Sequence, residues 1–312
     1  MTNRQKAYAA LLTNAAIWGL ALPLAKKGFE QTTPMAFLFY RYLFAVIVSL
    51  PIVYIYRKKL TFKLKNVLEL SLIAVFSTVL GHWLLYTGVD KSTSLEGSLI
   101  TALIPIIIVI GGAVFLKETV TGIERWGIAL ALIGTIIIIF EPLMFNHQKL
   151  SLSHTLGNMM ILGYNFSWAI AVLWMKKVAK KYHPFTLSYT SFIVGLLGFF
   201  ILALVENPQF LQINYINLNY AFLAAVYMGT LGSVVAYFLY QYGQQYIEAS
   251  EATLFSYLSS IFALPLAIFW LNEKLTLPVI IGSIIVIAGI FIAEKRWAKP
   301  TKRKKPKPRP RY

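Results

Sequence analysis

The residues of this chain that could do chemistry lie inside long apolar runs. Thr78, His82 and Tyr86 recur every four positions, so on a helix they form one hydrogen-bonding stripe. Ser233, Tyr237 and Gln241 form a second such stripe, at an offset of 155 from the first. Asn14 and Trp18 stand one helical turn apart, as do Tyr164 and Trp168, and two rings at such matched positions suit a sandwich around a ring or a methylated cation. Arg41 is a lone cation on a segment that carries Phe37, Tyr40 and Phe44. Its two-donor fork matches a carboxylate or phosphate, and Tyr40 and its neighbours would hold the organic part; alternatively the side chain snorkels to the outer headgroups. Polar groups facing lipid are costly and turn toward a bundle interior or a cavity. These stripes therefore line a solute site or supply the interhelical hydrogen bonds that hold a bundle together.

Catalysis has no comparable signal. His82, His147, His154 and His183 are scattered, and no HExxH, Gly-x-Ser-x-Gly, Walker loop or aspartate pair of a membrane protease occurs. No catalytic residue, cofactor or metal site is expected. The chain has no cysteine, which removes disulfides and thiolate metal sites.

The elements that must position these residues are ten apolar segments, roughly 7–26, 35–56, 66–88, 92–115, 122–140, 154–176, 184–205, 218–242, 249–271 and 277–297. Each is long enough to cross a bilayer core as a helix. A composition 58% hydrophobic and 13% charged, with a mean hydropathy of +0.65, excludes a water-soluble globule. The first segment follows Arg4 and Lys6 like a signal peptide but lacks a small-x-small cleavage site, so it is expected to stay as a span.

Residues 94–137 and 249–292 align without a gap, pairing Glu96 with Glu251, Glu118 with Glu273, Thr121 with Thr276, Gly127 with Gly282 and Gly134 with Gly289. The repeat continues toward the N-terminus, where Trp18 and Pro34 match Trp168 and Pro184. The chain is thus expected to divide into 1–145, a first five-helix repeat, 146–298, a second, and 299–312, a basic tail. An odd number of helices per repeat forces the halves to be inserted upside down relative to each other, the plan of many carriers that alternate access to a site at the midplane. The fold class expected is an all-α polytopic membrane protein of two inverted repeats.

Lysine and arginine set the orientation. They crowd the N-terminus, the 57–65 loop, Lys117, Arg125, the 176–181 loop and the tail, while the opposite loops hold only Lys26, Lys27, Lys91, Lys149 and Lys274. Both termini are therefore expected in the cytoplasm. The tail has proline at every second or third residue from Pro306, which prevents a helix; it suits anionic lipid headgroups rather than nucleic acid.

Four more features carry structural readings. Glycines seven apart, Gly127 and Gly134, then Gly282 and Gly289, suit close helix packing or a homodimer through the fifth and tenth helices. Glu118 and Glu273 close the fourth and ninth helices as structural hinges that meet helix N-termini. Glu96 follows Thr93 at capping-box spacing, and Glu251 does not repeat that spacing. A carboxylate at both pseudo-symmetric mouths without the same cap suggests gates at Glu96 and Glu251.

Ile17-Trp18-Gly19, Pro23 and Lys26 in the first span, Arg41 within Phe39-Tyr40-Arg41-Tyr42-Leu43, Pro105 after Leu103-Ile104, and Leu116-Lys117-Glu118 together resemble the EamA family of the drug/metabolite transporter superfamily. The likeness spans 7–297. It implies ten helices in two inverted halves and a central cavity lined by helices 1, 3, 4, 6, 8 and 9, with 5 and 10 peripheral. The second copy departs at Ser260, where the proline of the fourth helix is missing, and has Pro265 instead. The expected function is a carrier of a small organic metabolite in a bacterial or archaeal plasma membrane, with amino acids or their derivatives favoured. Export is implied by the resemblance alone. A sugar- or nucleotide-type solute is the nearest alternative; an organic-cation exporter lacks its midplane carboxylate, and a channel or lipid-handling protein is a weaker fit.

Overall fold

The computed structural model describes residues 2–56, 64–116, 121–145, 150–178, 182, 184–211, 220–246, 255, 258–259 and 261–294. Among these the chain is helical, with no strand. Seven helices are long and apolar enough to cross a membrane, and two shorter apolar helices, Ile261–Trp270 and Leu277–Ile292, follow. The expected ninth span is described at residues 255 and 258–259 and from 261 onward. Glu118, Glu251, Ser260 and the 299–312 tail lie outside the described residues.

The first span is two helices, α1 (Asn3–Gly19) and α2 (Ala21–Gly28). Pro23 explains the break. It donates no N–H, and its ring crowds the carbonyl four residues back, that of Gly19, where α1 stops. The second span is α3 (Pro34–Tyr56). The third runs from α4 (Leu64–Ala74) through a π-helical segment, Val75–Leu80, into α5 (Gly81–Lys91). The fourth repeats the proline break: α6 (Ser94–Thr101) ends four residues before Pro105, and α7 (Ile104–Leu116) resumes. Helices α8 (Gly122–Phe145), α9 (Leu150–Val178) and α10 (Pro184–Glu206) are continuous. The eighth span joins α11 (Tyr220–Tyr227) to α12 (Ala236–Tyr246) through a second π-helical segment, Met228–Val235. After a third π-helical segment, Leu266–Trp270, comes α13 (Leu277–Glu294).

Shifted by the repeat offset of 155, Val75–Leu80 falls within Met228–Val235. A π-bulge frees a backbone carbonyl from the helical ladder and is common at functional sites. Both halves carry one at the matching position of the repeat.

The seam of α8 and α13 shows the inversion directly. A Cβ on Gly134 would lie 2.6 Å from the Gly282 carbonyl oxygen, and one on Gly289 would lie 2.7 Å from that of Gly127. Since Gly127 is the counterpart of Gly282, and Gly134 of Gly289, each contact is the other turned about a two-fold axis, and the two helices run antiparallel. These glycines, which the sequence offers for close helix packing or a homodimer seam, meet each other within the chain. Only a residue without a side chain permits backbones this close.

Large apolar side chains such as Trp126, Ile133, Leu197, Ile201, Val205 and Phe291 are exposed, while Asn14, Arg41, Thr78, His82, Glu96, Asn158 and Asn165 are buried. That is the arrangement lipid demands, because backbone and side-chain polar groups find no water in the hydrocarbon region. Across the halves, α9 lies along α5 and α7, while α1 lies along α12.

Candidate functional site

Each first span grips the π-helical segment of the opposite half. The Trp18 indole donates to the Gly232 carbonyl at 3.0 Å, and the Asn14 amide to that of Ala236 at 2.8 Å. On the other side Ser167 Oγ donates to the Phe76 carbonyl at 2.6 Å, and Asn165 to that of Ile100 at 2.7 Å. Asn14 and Trp18 therefore act first as helix-to-helix donors, and the Trp18 ring also meets Tyr237 and Tyr240 at centroid distances of 5.7 and 5.6 Å.

Arg41 sits where these parts converge. It is 6% exposed, so it does not snorkel to the headgroups. Its Nη1 donates to the Tyr86 hydroxyl at 2.5 Å, and its Nε lies 3.4 Å from Ser233 Oγ, joining the third span to the eighth. The guanidinium stands over the Tyr42 and Tyr86 rings at 5.5 and 5.7 Å. Among the described residues no carboxylate comes within ion-pair distance of it.

One residue of each stripe, Tyr86 and Ser233, meets at Arg41. Thr78, His82, Tyr86 and Ser233 are all buried. His82 Nδ1 lies 2.8 Å from the Tyr42 hydroxyl and 3.2 Å from the Thr78 carbonyl, which the Nδ1–H tautomer satisfies by donating to the carbonyl. The His82 ring then leads to Tyr164 at 6.1 Å and on to Trp168 at a further 6.3 Å. Gln241 lies on α12, with its side chain outside the described ones.

Two corrections concern α3. Tyr40 is not in the cluster: its hydroxyl donates to the Phe210 carbonyl at 3.0 Å and its ring packs on Phe39 and Phe210. Successive helical residues point about 100° apart, so the neighbour of a central arginine need not share its face. Tyr42, which sequence reasoning passed over, is in the cluster, and so is Phe37, whose ring stacks on Tyr86 at 6.0 Å. Phe37, Arg41 and Ala45 share one helical face, while Tyr40 and Tyr42 flank Arg41 by about 100° on either side, so spacing alone does not choose between the two tyrosines.

The expected gate residue Glu96 is buried and accepts from Thr93 Oγ1 at 3.0 Å and Ser92 Oγ at 2.8 Å, while its own N–H donates to Thr93 Oγ1 at 3.0 Å. Thr93 thus caps α6, and the carboxylate bonds hydroxyls rather than completing the box on the Thr93 N–H; His154 of α9 also bonds it. Glu273, expected as a hinge for the helix after it, reaches the other half: its oxygens accept from Ser94 N at 2.7 Å, Leu95 N at 2.9 Å and Ser94 Oγ at 3.0 Å. Burial pushes this carboxyl up, offset in part by those hydrogen bonds and by Lys26. A cavity of about 240 Å³ opens beside it, lined by Lys26, Phe29, Glu30, Asp90, Thr93, Leu271 and Glu273; it lies at the mouth and not around Arg41.

An apolar exterior, a buried polar centre and two intertwined, inverted repeats define a multi-pass membrane protein of the transporter class. The sequence pattern of the EamA-like transporter family matches residues 5–140 and 155–294, one copy on each half, and the chain belongs to this family, within the drug/metabolite transporter superfamily. Relatives carry the same broad description. The "Uncharacterized transporter YcxC" of Bacillus subtilis is 26% identical, covering 95% of each chain. An "Uncharacterized transporter" of Archaeoglobus fulgidus is 26% identical over 93% of this chain and 99% of that one. The "WAT1-related protein At5g13670" of Arabidopsis thaliana is 25% identical over 78% and 70%. A solved crystal structure superimposes with a TM-score of 0.61, covering 93% of this chain and 95% of the other at 14% identity; that likeness concerns the fold alone.

Proposed function

We propose that this membrane transporter carries a small organic solute bearing a carboxylate or phosphate, with amino acids or their derivatives favoured, by alternating access. The observation that supports the reading is Arg41: a guanidinium enclosed in the centre, ringed by tyrosines, with no carboxylate partner among the described residues. A buried cation without a counter-charge is costly, and an anionic solute supplies one. The Tyr42 and Tyr86 rings under the guanidinium suit its organic part, and Trp18, Tyr164, Trp168 and Tyr237 are proposed to extend that aromatic wall. A sugar- or nucleotide-type solute fits the same cation through phosphate. An organic cation fits worse, because like charge would oppose it at Arg41. Export, a bacterial or archaeal plasma membrane and the lipid-bound tail belong to the same proposal.

Counterflow in proteoliposomes, with binding measured by thermal shift, tests it. A true ligand at a hundred times its Kd raises stability by about 2.7 kcal/mol. R41K should weaken binding and R41A weaken it further while the protein stays folded, because an ammonium cannot reach Tyr86, Ser233 and a solute together. Undiminished counterflow in R41A would remove the anionic class and return organic cations. Orientation is checked separately in the cysteine-free chain: a cysteine at Lys91 should react with an impermeant thiol reagent in intact cells, and one at Lys59 should not.

A further inference from the structure

The turn between α5 and α6 is held from both sides by side chains far away in sequence. The Lys26 ammonium, at the end of α2, donates to the carbonyls of Val89, Asp90 and Ser92 at 2.8, 2.7 and 2.8 Å. All three of its protons are thereby used. The carbonyls of Val89 and Asp90 belong to the last turn of α5, where a cation also complements the helix dipole. On the other side of the turn, α6 begins at Ser94, and its first N–H groups have no intrahelical acceptor. Thr93 takes the N–H of Glu96. Glu273 takes those of Ser94 and Leu95 together with the Ser94 hydroxyl. A lysine therefore closes the end of one helix and a glutamate the start of the next.

These two residues ride on a different body from the turn they grip. Helix α5 lies along α9, and Glu96 with His154 strengthens that side from within. Helix α2 continues from α1, which Trp18 and Asn14 tie to the eighth span. Glu273 follows the π-helical segment Leu266–Trp270 of the ninth. Lys26 and Glu273 both line the cavity at the mouth, where they also attract each other.

We propose that Lys26 and Glu273 are positioning residues of the transport cycle: together they clamp the α5–α6 turn and hold the outer mouth shut, and both must let go before the central site opens outward. This rests on the alternating-access reading above, but its test does not need the solute. Ser98 lies one turn inward from Ser94 on the same face of α6, is buried, and differs from cysteine by one atom. In the purified cysteine-free protein, S98C should react slowly with a water-soluble maleimide. Adding Glu273→Gln, which removes the charge, or Lys26→Met should raise the rate roughly tenfold or more, the scale expected when a buried charged hydrogen-bond set is lost. Glu96→Gln, which weakens the link from α6 to His154 of α9 and leaves Lys26 and Glu273 in place, should leave the S98C rate at the parental value. Melting temperature reports folding in every variant, and Ser94→Ala, which removes one of three donors to Glu273, supplies a milder second variant with a smaller rise. Parental rates in E273Q and K26M, or an equal rise in E96Q, would overturn the clamp. Failure of the solute reading shows instead in R41A counterflow, with these rates unchanged.

Discussion

Helix α9 runs unbroken from Leu150 to Val178, whereas its counterpart in the first repeat stops at Gly19 and restarts as α2 at Ala21. The two first spans still share a task. Each donates hydrogen bonds to a π-helical segment of the opposite half, Trp18 and Asn14 to the eighth span and Ser167 to the third. What duplication preserved is the grip; the residues that make it differ. What diverged is the outer end. The break at Pro23 frees eight residues, α2, to carry Lys26 to the end of α5, and Leu173 occupies the matching place in α9. The second spans diverge likewise: Arg41 is central in α3, while its counterpart Ser191 bonds the Leu187 carbonyl of its own helix α10 at 3.0 Å. The inverted repeat supplies a scaffold with two equivalent halves, and single residues make one mouth and one half of the site unlike the other.

The comparison breaks most visibly in α9. Leu173→Pro should destabilise the protein by about 3 kcal/mol or more, because a continuous helix loses a hydrogen bond and meets a ring clash. Pro23→Ala, at a break that already exists, should change stability by less than about 1 kcal/mol. Melting of the purified variants distinguishes them, and equal losses would mean that the two first spans are the same element after all.

At the seam where the repeats meet, Gly289→Ala should cost about 1–3 kcal/mol, since the added carbon would lie 2.4 Å from the Ala131 backbone nitrogen, which cannot yield. Gly122→Ala, with nothing within 4 Å, should cost nothing measurable. A neutral Gly289→Ala would refute the antiparallel seam as the place where the two-fold axis lies.

In the second spans, Arg41→Ala should weaken solute binding about thirtyfold, roughly 2 kcal/mol for a charged partner removed from a buried pair. Ser191→Ala should leave Kd within twofold. The smallest difference is expected between the tryptophans: Trp18→Phe loses the bond to Gly232 and should lower stability by about 1 kcal/mol. Trp168→Phe, whose ring packs against Tyr164, should lower it by less.

Much of this was legible before any coordinates. The repeat could be read from paired non-aliphatic residues, and the buried stripe of Thr78, His82 and Tyr86 from a four-residue spacing that survives any helix packing. The Thr93 cap on the Glu96 N–H was also local. The choice between Tyr40 and Tyr42 was not legible, since both stand one residue from Arg41; which way α3 turns in the bundle sends Tyr40 to Phe210 and Tyr42 to His82 and the guanidinium. Glu273 was read as serving the helix that follows it, since a sequence ranks near neighbours first; its N–H partners lie on the other half of the chain.

The sequence by itself determined that this protein lives in lipid and that it is two copies of one unit. These follow from composition and identity. Only the tertiary structure decided which polar groups meet. Arg41 joining Tyr86 to Ser233, the indole of Trp18 on a carbonyl of the eighth span, and Lys26 and Glu273 on the two ends of one turn all depend on how the inverted halves intertwine. The physical reason is that apolar helices in a membrane are selected by lipid one at a time, whereas their registers and facing residues are fixed by close packing and by hydrogen bonds that form only when the halves come together.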